Sequence, residues 1–187
     1  DDAIIDAARA LGDGWFTVIA PRHPERGGAV ASQCAAAGYG VARRGAGGMA
    51  TPADSLFIAD TLGEMDSLFS VADIVFLGGS LKPLGGHNPV EPAAHGLPIL
   101  TGPHIHKNRA EFAGLTDAGV VSEITDAPSL AAMAKATPRV AFCTAPGQAQ
   151  ITGRGRSGQR LRLCHLDQAP DRRQAGVPAP DQHQRHA

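Results

Sequence analysis

The sequence predicts an α/β fold, a Rossmann-like doubly wound parallel sheet, and three observations carry that prediction. Short β-rich runs alternate with stretches of helical spacing up to about residue 140. The runs are apolar on both faces, as strands covered by helices on both sides must be. Glycine, proline and polar residues gather where successive runs end, which is where an open parallel sheet takes its ligands. Strands alternating with helices imply right-handed crossovers and therefore parallel pairing.

The elements follow in order. "DDAIIDAARALG" opens on a helix over 4–11, and its start at Asp1 reads as cut from something longer. "WFTVIA" (15–20) is the first strand, followed by a helix over 25–37. "GYGVARR" (38–44) is a candidate second strand, and "RRGAGGMATPAD" (43–54) is a flexible surface loop. "SLFIAD" (55–60) leads to a helix over 63–72, and "DIVFLG" (73–78) to a glycine-rich stretch and a helix over 89–95. "LPILTG" (97–102) and "GVVSE" (119–123) precede helices over 107–115 and 129–136. Residues 1–140 therefore form one domain. The tail, 141–187, is rich in Gln, Arg, Pro and Gly and has no period long enough to bury a face. It holds 7 of the 17 basic residues against 3 of the 18 acidic ones, so the tail is net basic and the body net acidic. A low-order, disordered or non-native segment is expected there, and a shifted reading frame would produce the same abrupt loss of pattern.

Composition excludes several functions. With 17 basic and 18 acidic side chains, the chain lacks the positive field a nucleic-acid partner requires. Aromatics at 4 % leave little for base-stacking platforms. Cys34, Cys143 and Cys164 are odd in number and far apart, which fits a reducing compartment and no disulfide framework. No run approaches the length of a membrane span and no signal peptide opens the chain. His104 and His106 stand two apart without a third ligand nearby, so no metal is expected.

The chemistry gathers in "GGSLKPLGGHNPVEPAAHG" (78–96). Gly78 and Gly79 let a ligand approach the backbone, and Gly85 and Gly86 suit positive φ, with amides turned outward as an anion nest. A helix start adds free amides and partial positive charge. Asn88 and Glu91 have the spacing of a capping box, yet that register puts Pro92 at the fourth helical position; with Glu91 as cap, Pro92 becomes the first. Capping and ligand binding both stay open for Glu91; facing a ligand, it would accept hydrogen bonds from sugar hydroxyls. Arg22, after the first strand, offers a planar fork for phosphate or a base carbonyl, or simply a partner for Glu25. Gly63 and Glu64 sit at a helix start after the "SLFIAD" strand, with Asp60 as an alternative plain N-cap.

Three stretches together, "APRHPER" (20–26), "DTLGEM" (60–65) and "ADIVFLGGSLKPLGGHNPVEPAAHGLPILTGPH" (72–104), resemble the C-terminal half of 3-deoxy-D-manno-octulosonic acid (Kdo) transferases. The likeness spans roughly residues 1–135, and its long glycine-rich motif is highly specific. It implies the C-terminal domain of a GT-B fold, which holds the donor CMP-Kdo, and no cofactor or metal. Pro21 and Arg22 would contact CMP; Leu62, Gly63 and Glu64 would form the turn beside base and ribose. Ser80, Gly85, Gly86 and His87 would surround phosphate and sugar, and Asn88 with Glu91 would fix the nucleotide. The implied reaction is an inverting transfer of Kdo to a lipid A precursor in lipopolysaccharide synthesis, at the cytoplasmic face of the bacterial inner membrane. The resemblance also implies that the N-terminal anchor, the acceptor site and the catalytic base lie outside this sequence, leaving no catalytic residue in it, so that alone it is a soluble, inactive donor-binding half. Ala59 replaces a glycine of the pattern, and the family's closing helix is not recognisable after about residue 137. Two alternatives remain, a GT-B enzyme using a UDP-sugar and a catalytically dead nucleotide-binding fragment.

Overall fold

The computed structural model describes residues 2–51 and 54–137 and, as backbone, the strand 161–167. Its elements are α1 (Asp2–Leu11), β1 (Trp15–Pro21), α2 (Gly27–Ala36), β2 (Val41–Arg43), β3 (Leu56–Ile58), α3 (Met65–Val71) and β4 (Ile74–Leu77). They continue as α4 (Val90–Ala94), β5 (Ile99–Thr101), α5 (Arg109–Asp117), β6 (Val121–Glu123), α6 (Ala127–Ala136) and β7 (Leu161–Asp167). The strands form one sheet in the order β2-β3-β1-β7-β4-β5-β6, and every pairing is parallel. The α/β doubly wound architecture expected from the alternation of runs is present.

Alternation along β1 shows how the layers form. Trp15 and Ile19 point into a core with Ile58, Phe76 and Leu100, closed by Ile4 and Ile5 of α1, Val30 and Cys34 of α2, and Leu130 and Ala134 of α6. The intervening Val18 and Ala20 turn to the opposite face and pack with Phe57 and Ala59. Further along that face, Val75, Leu77 and Ile99 meet Phe69 of α3 and Phe112 of α5. Both sides of the central strands are thus covered, which is why their sequences read as continuous apolar runs.

Helix starts differ from the expected ones by one to two residues, for identifiable reasons. α6 begins at Ala127 because Asp126 caps it: its Oδ1 accepts the Ser129 amide at 2.8 Å while Ser129 Oγ accepts the Asp126 amide at 3.0 Å. α2 begins at Gly27 because a 3₁₀ turn over Pro24–Arg26 precedes it.

β7 is the larger difference. It lies between β1 and β4, pairing Trp15–Pro21 along its whole length and Ile74–Leu77 along part of it. A seven-residue run inside a Gln-, Arg- and Pro-rich background is too short for its period to stand out, so the sequence carries no signal for it. The rest of the tail, 138–160 and 168–187, lies outside the described residues.

Candidate functional site

Because every strand runs the same way, the loops after β1, β2, β3, β4 and β5 share one edge of the sheet. The chain crosses from one half of the sheet to the other between β3 and β4, through α3. Pro21 and Leu77 both pair with β7, so these two strand ends stand about 10 Å apart, two strand spacings. The residues expected to bind a ligand fall in three groups along this edge.

The first group follows β1. Pro21 is its buried last residue, and Arg22 is exposed just beyond. Glu25 lies 3.7 Å from His23 Nδ1, so its nearest recorded partner is His23 and not Arg22.

The second group joins the ends of β2 and β3. Asp60 does not cap a helix: it is 4 % exposed, the N-cap position of α3 belongs to Glu64, and no side chain caps that helix. The Asp60 carboxylate instead accepts from Arg43 Nε and, at 2.6 Å, from the Gly45 amide. Burial pushes this carboxyl up, but the Arg43 guanidinium and the Gly45 amide outweigh it and hold it below its ordinary value. Gly27 is required beside it, since a Cβ there would lie 2.0 Å from Asp60 Oδ2. On the outer side, Leu62 is 81 % exposed and Gly63 takes φ +81°. Glu64 Oε2 accepts the Thr61 hydroxyl and Oε1 accepts Arg44 Nε at 3.0 Å. These two partners, Thr61 first, hold the Glu64 carboxyl below its usual range.

The third group is the stretch after β4. Gly85 and Gly86 have positive φ, as their sequence suggests, but the anion nest does not form as expected: the Gly86 amide donates to the Gly79 carbonyl at 3.1 Å, closing the neck of the loop. A Cβ on Gly85 would lie 2.5 Å from Lys107 Cγ and Cδ, so this glycine lets the Lys107 stem lie flat across it. Asn108 Nδ2 donates to the Gly86 carbonyl at 3.1 Å. Ser80 is fully buried; its Oγ donates to the Leu77 carbonyl at 2.6 Å and accepts the Gly102 amide at 2.8 Å. That hydroxyl clamps the loops after β4 and β5 together. His87 is half-buried. Neither expected cap is made on α4: Pro89 is the N-cap residue, and Asn88 Oδ1 accepts the Val90 amide at 2.9 Å from one position earlier. Pro92 then falls at the third helical position, where a missing amide costs nothing. Glu91 is exposed in the first turn, and no hydrogen bond or ion pair ties its carboxylate among the described residues.

A cleft of about 280 Å³ lies elsewhere, lined by Gly12, Trp15, Thr17 and Tyr39 near the amino ends of β1 and β3, and has no part in this edge. Among the described residues no group of three or more His, Cys, Asp or Glu could hold a metal ion.

The chain is 42 % identical over 101 residues to the 3-deoxy-D-manno-octulosonic acid transferase of Bordetella pertussis, covering 54 % of this chain and 24 % of that protein. It is 32 % identical over 127 residues to the enzyme of the same name from Haemophilus influenzae, covering 66 % of this chain and 30 % of that protein. The chain is a relative of the Kdo transferases. It spans less than a third of the length of the Kdo transferases it matches. No family model matches it. In structure it is similar to the C-terminal CMP-Kdo binding domain of WaaA from Acinetobacter baumannii, with a TM-score of 0.61 and 23 % identity over 73 % of this chain and 89 % of that one. That likeness establishes the fold, a doubly wound parallel sheet shared with that domain. Among the described residues no helix is long and apolar enough to cross a membrane.

Beside the residues expected from the sequence, the structure brings in others that the sequence does not single out: Arg43, Arg44, Lys107 and Asn108. Arg43 ends a strand of only three residues, Arg44 begins the 3₁₀ turn after it, the pair reads as the start of a loop, and only the pairing of β2 with β3 sets them against Asp60 and Glu64.

Proposed function

We propose that this chain is the donor-binding part of a Kdo transferase, holding CMP-Kdo across the carboxyl edge of its sheet. The observation that supports this most directly is the exposed Glu91 carboxylate at the mouth of a glycine-rich loop, in a chain whose relatives carry the Kdo transferase name. Glu91 and Asn88 fix the nucleotide, with Glu91 accepting hydrogen bonds from ribose hydroxyls. Leu62, Gly63 and Glu64 flank base and ribose on the other side. Arg22 reaches the phosphate with its planar donor fork, and Pro21 shapes the floor beneath the base. Gly85, Gly86 and His87 border the sugar, and Ser80 shapes that border from beneath through its two buried bonds.

In the transfer itself an acceptor hydroxyl loses its proton and its oxygen attacks the anomeric carbon of Kdo. The bond from that carbon to the phosphate oxygen breaks with inversion, and CMP leaves with the electron pair. Arg22 stabilises the charge that develops on the departing phosphate. The base and the lipid A precursor site belong to another part of the complete enzyme, which works at the cytoplasmic face of the bacterial inner membrane.

Calorimetric titration of the chain with CMP tests this. Binding that weakens at least tenfold in Glu91→Ala and is not displaced by UDP is the expected result. A Glu91→Ala chain binding CMP like the wild type removes Glu91 from the site, and preferential binding of UDP points to a UDP-sugar donor.

A further inference from the structure

We propose that Arg44 is a positioning residue of the nucleotide site: it holds the Glu64 carboxylate in the orientation that receives the ribose 2′-hydroxyl of a cytidine nucleotide. The proposal rests on the reading that this edge binds CMP, and it adds a residue which that reading does not contain.

Arg43, the last residue of β2, and Arg44, the first of the turn after it, diverge. Arg43 is drawn inward to buried Asp60, whose other oxygen takes the Gly45 amide. The following turn is closed further by the Gly48 amide on the Arg43 carbonyl at 2.9 Å and by Gly47 at φ +80°. This anchors the backbone on both sides of Arg44 and turns its side chain outward. There the guanidinium is fixed on two sides, with Nη1 2.9 Å from Met49 Sδ and Nε and Nη2 at 3.0 and 2.9 Å from Glu64 Oε1. Both donors meet the same oxygen. The other carboxylate oxygen takes the Thr61 hydroxyl.

The consequence lies in lone pairs. A carboxylate offers about four acceptor directions, two on each oxygen; Arg44 Nε and Nη2 fill both on Oε1, and Thr61 takes one on Oε2. Oε2, with Thr61 alone, keeps room for one further donor, and the 2′-hydroxyl of a ribose is a donor of that kind. An unsupported glutamate at a helix start would rotate freely and lose entropy on binding such a hydroxyl, whereas a held one has already lost it. Side-chain exposures of 39 % for Arg44 and 34 % for Glu64 leave the pair reachable from solvent.

The experiment is a cycle of substitution against ligand. The wild-type chain, Arg44→Met and Arg44→Lys are each titrated with CMP and with 2′-deoxy-CMP, with thermal unfolding recorded alongside. Expected are wild-type CMP binding about tenfold tighter than in Arg44→Met, an intermediate value for Arg44→Lys, and 2′-deoxy-CMP binding that Arg44→Met leaves unchanged, as the loss of one charge-assisted contact to a hydroxyl predicts. Equal weakening for both ligands would make Arg44 a merely structural residue and overturn the proposal. So would CMP binding that is unaltered in Arg44→Met. If the wild-type chain bound neither ligand, the nucleotide reading itself would fall and this proposal with it. A folded Arg44→Lys chain keeps the comparison valid if the methionine variant does not fold.

Discussion

Replacing Ser80 with alanine separates a side chain that shapes the site from one that touches the ligand. Its hydroxyl is wholly buried, donates to the Leu77 carbonyl at 2.6 Å and accepts the Gly102 amide at 2.8 Å. No other residue can move in to replace it: a Cβ on Gly102 would already lie 2.4 Å from the Ser80 carbonyl oxygen, so the two loops are in backbone contact. Alanine fills nearly the same volume, which removes any cavity contribution. The cost is then that of a buried amide losing its acceptor, about 1–3 kcal/mol. At roughly 2–4 °C per kcal/mol for a chain of this length, a loss of about 2 kcal/mol lowers Tm by about 4–8 °C. Urea unfolding followed by circular dichroism should show a lower midpoint with an unchanged slope. CMP affinity of the folded Ser80→Ala chain should stay within about threefold of wild type. A variant that unfolds like the wild type yet loses CMP binding tenfold would refute the reasoning, because the hydroxyl would then be facing the ligand.

Three further outcomes follow from the same geometry. Asp60 has a folded pKa below its ordinary value, so its contribution to stability is complete above the ordinary aspartate range near pH 4 and is lost as the pH falls through the lower, folded value. Asp60→Asn should therefore be less stable than wild type at pH 7 and the difference should narrow in acid, as urea midpoints from pH 2 to 7 would show; a constant difference would contradict this. Gly27→Ala places a methyl 2.0 Å from the tied Asp60 carboxylate and should destabilise by about 1–3 kcal/mol or more, while Gly114→Ala, with open space on exposed α5, should stabilise by up to about 1 kcal/mol; thermal melts of the pair check the contrast. Burial pushes the Cys34 thiol up to about 11, so iodoacetamide at pH 8 should label it about 100-fold more slowly in the folded chain than in urea, as peptide mapping would reveal.

Much of the fold was legible because parallel strands buried on both faces leave unbroken apolar runs, and these run from "WFTVIA" to "LPILTG". The glycine-rich stretch stood out as a candidate site for a related reason: so much backbone freedom beside a strand end has few structural uses. Its internal wiring was not. Asn88 and Glu91 stand at capping-box spacing, yet the helix begins at Val90 and Asn88 caps from outside it. Asp60 reads as an N-cap by position, but the approach of β2 to β3 supplies Arg43 and the Gly45 amide, and a buried carboxylate goes where its donors are. Ser80 reads as a ligand contact by motif, and the close approach of the β4 and β5 loops turns it inward.

By itself, the sequence determined the alternation of strands and helices, and with it a parallel sheet whose strand ends share one edge. Periodicity is a local property, and local hydrophobic pattern is enough to decide which face of each element is buried. Only the tertiary structure decided which polar groups on that edge are engaged within the protein and which, like Glu91, remain open to a ligand. A hydrogen bond needs its partner within about 3 Å, and those partners come from strands and loops distant in the chain that meet only when the sheet is assembled.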